Sequence, residues 1–115
     1  MPRLITREEL RREIGAGAIT VVETLAAAYY DSGHLPGAIN IPHTRVRELA
    51  GSLLPDKDAP VATYCSNTAC RNSEIALNEL IALGYSNVRK YAEGKQDWIE
   101  AGLPIEPGAT SASAA

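Results

Sequence analysis

Four short runs rich in β-branched and aromatic residues alternate with stretches that carry helical signals: Ile19-Thr20-Val21-Val22, Ala38-Ile39-Asn40-Ile41, Val61-Ala62-Thr63-Tyr64 and Val88-Arg89-Lys90-Tyr91. A strand followed by a helix and then a second strand crosses over right-handedly and pairs in parallel. The alternation therefore predicts an α/β domain, with a central, mostly parallel sheet of four or five strands and helices on both faces. The helices are legible from their ends. Thr6 and Glu9 have capping-box spacing ahead of Leu10 and Ile14, and Gly15 and Gly17 close that stretch, which predicts a helix over 6–14. Leu25 to Tyr30 and residues 44–50 suit short helices. The longest is expected over 72–83, with Ile75, Ala76, Leu80 and Leu83 on its apolar face and Gly84 beyond its end. A last helix over 96–101 stops before Gly102 and Pro104.

At 115 residues and 45% hydrophobic composition, the chain supports one core without staples. Residues 1–106 are expected as a single domain and 107–115, rich in small residues, as a flexible tail. The 11 basic and 14 acidic residues give a net charge of -3, and no basic cluster exceeds Arg11-Arg12, which argues against nucleic acid or anionic membrane as a partner. No apolar stretch approaches the roughly 20 residues of a spanning helix, and the N-terminus lacks the apolar core of a secretory signal, so a soluble cytoplasmic chain is expected.

Two cysteines, Cys65 and Cys70, are too few for a disulfide framework and invite a chemical role. Cys65 directly follows the third strand and precedes the longest helix, and in parallel sheets ligands sit outside the carboxyl ends of the strands. The unpartnered amides and dipole of a helix start favour a thiolate. The expectation is a Cys65 pKa below the free value of about 8.5 and faster alkylation there than at Cys70. The same amides, over Ser66, Asn67, Thr68, Ala69 and Cys70, can cradle an oxyanion. Arg71 either, the reading preferred, forks its donors onto that anion as a further binding residue, or faces solvent at the helix start. Cys70 is either a resolving thiol or, the reading preferred, a packed small residue. His34 and His43 complete a formal Cys2His2 set whose spacing is wrong for zinc, so no metal is expected. Trp98, Ile99 and Leu103 read as core, Tyr29 and Tyr30 as partly buried with wet hydroxyls, and Arg7, Glu8, Arg11, Arg12 and Glu13 as a solvated face.

The run from Asp31 to Pro42, through Gly33-His34-Leu35-Pro36-Gly37-Ala38, resembles a segment of rhodanese-like domains. Tyr64-Cys65-Ser66-Asn67-Thr68-Ala69-Cys70-Arg71-Asn72-Ser73 resembles their active-site loop. Leu83 to Val88 and Gly94-Lys95-Gln96-Asp97-Trp98 resemble their closing strand and helix. The likeness covers about residues 5 to 106. It implies a rhodanese fold and a sulfurtransferase in which Cys65 takes sulfane sulfur from thiosulfate or a persulfide and passes it to a thiol or cyanide, with no cofactor. Two departures stand out. The family's loop commonly has four residues between Cys and Arg, whereas here Cys70 takes the arginine's place and Arg71 follows. Where the family has Asp-x-Arg at the end of its first strand, this chain has Glu23-Thr24-Leu25 and lacks the arginine of the usual ion pair. A Cys-x5-Arg phosphatase or arsenate reductase, and a non-catalytic binding or sulfur-carrier module, remain as rival readings.

Overall fold

The structure, a computed structural model, describes residues 3–108. Its elements run α1 (Arg7–Gly15), β1 (Thr20–Glu23), α2 (Ala27–Ser32), β2 (Ile39–Asn40), a 3-10 turn (His43–Arg45), α3 (Val46–Leu53), β3 (Val61–Tyr64), α4 (Asn72–Ala82), β4 (Val88–Tyr91) and α5 (Gly94–Glu100). The four strands pair in parallel in the order β2-β1-β3-β4. Beyond β4, an isolated parallel bridge joins Leu4 to Lys90 and extends that edge.

Alternate residues of the strands feed two cores. Val22, Val61 and Val88 pack with Val46, Ala50, Ala76, Leu77 and Leu80 from α3 and α4. Val21, Ala62, Tyr64 and Tyr91 face the other way, onto Leu10, Tyr30 and Trp98 from α1, α2 and α5. Strands this short bury both faces because helices cover both, as the continuous apolar runs require. The fold class is therefore the expected one.

The capping box is formed: Thr6 Oγ1 accepts from the Glu9 amide at 3.1 Å and Glu9 Oε1 from the Thr6 amide at 2.9 Å. α1 is less solvated than its charges suggest, because Glu13 pairs with Arg89 at 2.8 Å and Arg7 with Asp97 at 3.1 Å, tying it to β4 and α5. On α4 the buried stripe is Ser73, Ala76, Leu77 and Leu80, spaced as one helical face, and Ile75 lies off it at 42% exposure. Ile99 is likewise exposed, whereas Trp98 is buried and donates its indole N–H to the Pro104 carbonyl at 2.8 Å. Tyr30 is fully buried with its hydroxyl donating to the Ala38 carbonyl, while its neighbour Tyr29 is exposed. His34 stacks on Tyr30 with ring centroids 3.8 Å apart, and its Nδ1 lies 3.0 Å from the Tyr30 carbonyl. The expected tail falls outside the described residues from 109 onward; before it, the Gly108 amide donates to the Asp31 carbonyl at 2.7 Å.

Candidate active site

From β1 the chain crosses to β2 on one side, and from β3 to β4 on the other. The crevice outside the carboxyl ends of β1 and β3 is thus the sheet's switch point, where ligands of such folds bind. Three strand ends meet there. β1 delivers Glu23, β3 delivers Cys65, and the start of α5, after β4, delivers Gly94 and Lys95.

The loop after β3 is held by α5. The amides of Lys95 and Gln96, unpartnered at a helix start, donate to the carbonyls of Cys65 and Ser66, each at 2.8 Å. In trans peptides N–H and C=O point oppositely, so the Ser66 and Asn67 amides face away from α5. Asn67 then curls the chain back: its carbonyl accepts from the Cys70 amide at 3.1 Å and its side-chain oxygen from the Ala69 amide at 3.0 Å. α5 approaches this closely only because residue 94 is glycine. Its φ is +75°, and a Cβ there would lie 2.6 Å from the Cys65 carbonyl oxygen and 2.9 Å from the Asn67 nitrogen.

The curl brings the two cysteines together, both as free thiols. Cys65 is buried, 1% exposed, and its Sγ lies 3.3 Å from the Cys70 carbonyl oxygen and 3.7 Å from Ser73 Oγ. Cys70 is half-buried. Ser66 and Asn67 are also partly exposed, and Thr68 and Ala69 form the outer rim. Arg71 stands apart from this group, 81% exposed, with Glu74 at 3.8 Å as its ion-pair partner. The extra loop residue puts it at the N-cap of α4, where it has no side-chain cap bond.

The electrostatics divide the two thiols. Burial pushes the Cys65 thiol up from its ordinary pKa, and the neighbouring Cys70 side chain adds to this, outweighing the Ser73 amide and hydroxyl at the start of α4. Burial also works against a Cys70 thiolate, but the Cys65 thiol and the amides of Asn72 and Ser66 overcome it, and that pKa falls. The helix start thus favours the Cys70 thiolate, whereas Cys65, lying deeper, is held up. These directions oppose the low Cys65 pKa expected from the helix start alone. Alkylation follows the thiolate fraction. Iodoacetamide should therefore label Cys70 faster than Cys65, with a pH midpoint below that of free cysteine, and should label Cys65 only at higher pH. Peptide mapping across a pH series checks this; faster labelling of Cys65 at neutral pH would refute it.

Glu23, Lys95 and Ser73 have parts that the sequence did not disclose. Glu23 is fully buried, accepts the Tyr64 hydroxyl at 2.7 Å and pairs with Lys95 Nζ at 2.9 Å. Lys95 thus supplies, from α5, the cation missing at position 25, where Leu25 is buried. Tyr64 in turn accepts from the Leu35 amide at 3.1 Å, which ties the His34-Leu35-Pro36 turn to the site. Beside the loop opens a cleft of about 340 Å³, lined among others by Leu25, Tyr29, Ser66, Asn67, Lys95 and Ile99.

A cysteine at the end of a central strand, in a loop at the switch point of a parallel sheet with helices on both faces, defines the class of α/β domain. The chain belongs to the rhodanese-like domain family, whose pattern it matches over residues 6–101. It is 35% identical over 105 residues to the HTH-type transcriptional regulator Rv0324 of Mycobacterium tuberculosis, a match covering 91% of this chain and 45% of that protein. It is 40% identical over 68 residues to the thiosulfate sulfurtransferase PspE of Escherichia coli, covering 59% of this chain and 62% of that one. The chain thus spans less than two thirds of either relative. Among solved structures, a rhodanese with anions from E. coli superposes with a TM-score of 0.67 at 32% identity, over 79% of this chain and 100% of that one.

Proposed function

We propose that this domain is a sulfurtransferase that carries sulfane sulfur as a persulfide on Cys65 and passes it to a thiophilic acceptor, a thiol or cyanide. The observation that carries this reading is Cys65 itself, set at the end of a central strand just before α4, in a loop whose Cys65 and Ser66 carbonyls are held by α5, which turns the Ser66 and Asn67 amides away from that helix. Attack of the Cys65 thiolate on the outer sulfur of thiosulfate forms the persulfide and expels sulfite. The loop amides of Ser66, Asn67 and Thr68 hold the anion during that step, since those of Ala69 and Cys70, expected to share in the cradle, already donate to Asn67. Arg71, exposed and paired with Glu74, is not needed for it. The likeness to a thiosulfate sulfurtransferase supports the donor class, and a reducing cytoplasm suits two free thiols.

The likeness to a transcriptional regulator over 105 residues favours a second reading, a sulfur-binding module that loads without turnover. Turnover with thiosulfate and cyanide present together separates the two. Thiocyanate formed in large excess over protein supports the enzyme, whereas at most one equivalent per chain supports the module. Cys65→Ser should take up no sulfur, and Arg71→Ala should react within a factor of about two of the parent, because the exposed pair with Glu74 that it loses makes no contact with the loop's anion. A Cys65→Ser protein that still takes up sulfur would refute the assignment.

A further inference from the structure

Cys70 is a second thiol inside the loop that the transfer reaction leaves unused, and the loop is folded so as to bring it back onto Cys65. The Asn67 carbonyl and side chain close the turn, the Cys70 carbonyl sits 3.3 Å from the Cys65 sulfur, and the ionisation of each thiol depends on the other. Cys70 also occupies the loop position where the arginine of the common four-residue loop stands, under the amides of Asn72 and Ser66. Two thiols held in one loop, with the backbone of one against the sulfur of the other, supply what a sulfur-loaded cysteine and a resolving cysteine need, a short path between them.

We propose that Cys70 resolves the Cys65 persulfide by attacking its inner sulfur, closing a Cys65–Cys70 disulfide and releasing the outer sulfur as hydrosulfide. This rests on the sulfurtransferase reading. As Cys65 attacks thiosulfate its proton passes to Cys70, sulfite leaves, and a persulfide anion remains. The proton then returns to the terminal sulfur, and the Cys70 thiolate attacks the sulfur bonded to Cys65. That step breaks the sulfur–sulfur bond of the persulfide and forms the disulfide. The sulfane sulfur is reduced to sulfide while the two thiols are oxidised, so no outside oxidant enters. A dithiol reductant, small or protein-borne, restores both thiols for another cycle. The domain would then be a thiosulfate reductase of the dithiol-dependent kind, with a redox state that records sulfane sulfur even when no acceptor is present.

The test is a single turnover. Pre-reduced protein, freed of reductant and kept anaerobic, is mixed with thiosulfate and no acceptor. Sulfite, hydrosulfide and intact mass are then read. The parent should release hydrosulfide and sulfite in a ratio near one, lose two hydrogens, and yield a peptide linking Cys65 to Cys70. Cys70→Ser should release sulfite, keep the added sulfur and give a hydrosulfide ratio near zero. If Cys70→Ser fails to fold, Cys70→Ala and the linked peptide of the parent carry the same decision. A parent that keeps the added sulfur and frees no hydrosulfide overturns resolution and leaves the transfer reading standing. Absence of both sulfite and adduct in the parent and in the variant overturns both.

Discussion

Lys95→Met should lower the melting temperature by roughly 10–25 °C, the largest loss of stability expected from any single charged side chain here. Glu23 is 0% exposed and Lys95 is its sole counter-charge among the described residues, so the variant strands a carboxylate inside the protein. Breaking a buried ion pair from one side costs about 3–5 kcal/mol. A domain of this size shifts by several degrees for each kcal/mol. Glu23→Gln should cost less than Lys95→Met, because a neutral amide can still accept from the Tyr64 hydroxyl. The double variant should recover much of the loss, since two neutral partners need no pairing. Thermal unfolding of the three proteins gives the coupling directly; additive effects would mean that the pair contributes nothing as a pair.

Gly94→Ala should reduce sulfur transfer by about 100-fold or more while leaving the fold recognisable by circular dichroism. Its Cβ meets backbone rather than a pliant side chain, at 2.6 Å from the Cys65 carbonyl oxygen, and φ of +75° is strained for alanine. Either α5 withdraws and releases the Lys95 and Gln96 amides from the loop, or the loop shifts bodily. A displacement of about 1 Å at a reacting group is enough for a loss of that size. Strain and crowding together should also cost about 2–4 kcal/mol of stability. Near-parental transfer kinetics in Gly94→Ala would show that the loop does not depend on the close approach of α5.

The strands and the loop were legible in the sequence because their signals are local. Val61 to Tyr64 and Val88 to Tyr91 are strands with the expected bounds, and α1 begins at the capping box, since alternation, β-branching and caps act within a few residues. Errors arose where tertiary contacts decide. Ile75 and Ile99 read as core by hydrophobicity, yet helix phase puts them in solvent. The Glu23–Lys95 pair was invisible because its members are joined only by the sheet order β2-β1-β3-β4. The position of Cys65 was legible, but its ionisation was not. A helix start raises the thiolate fraction of whichever sulfur it reaches, and depth below the surface, a property of the folded loop alone, decides between two.

The junction of α5 with the loop, where the Lys95 and Gln96 amides meet the Cys65 and Ser66 carbonyls, sets an order of events during synthesis. The cysteines emerge well before α5 does, and until that helix docks, the segment after β3 is a peptide bearing two ordinary thiols. Parallel pairing of distant strands is slow to form. Cys65 and Cys70 therefore gain their unequal character last, when α5 clamps the loop. Reactivity at this pair becomes a reporter of completed folding, and a chain nicked ahead of α5 should behave chemically like its unfolded form.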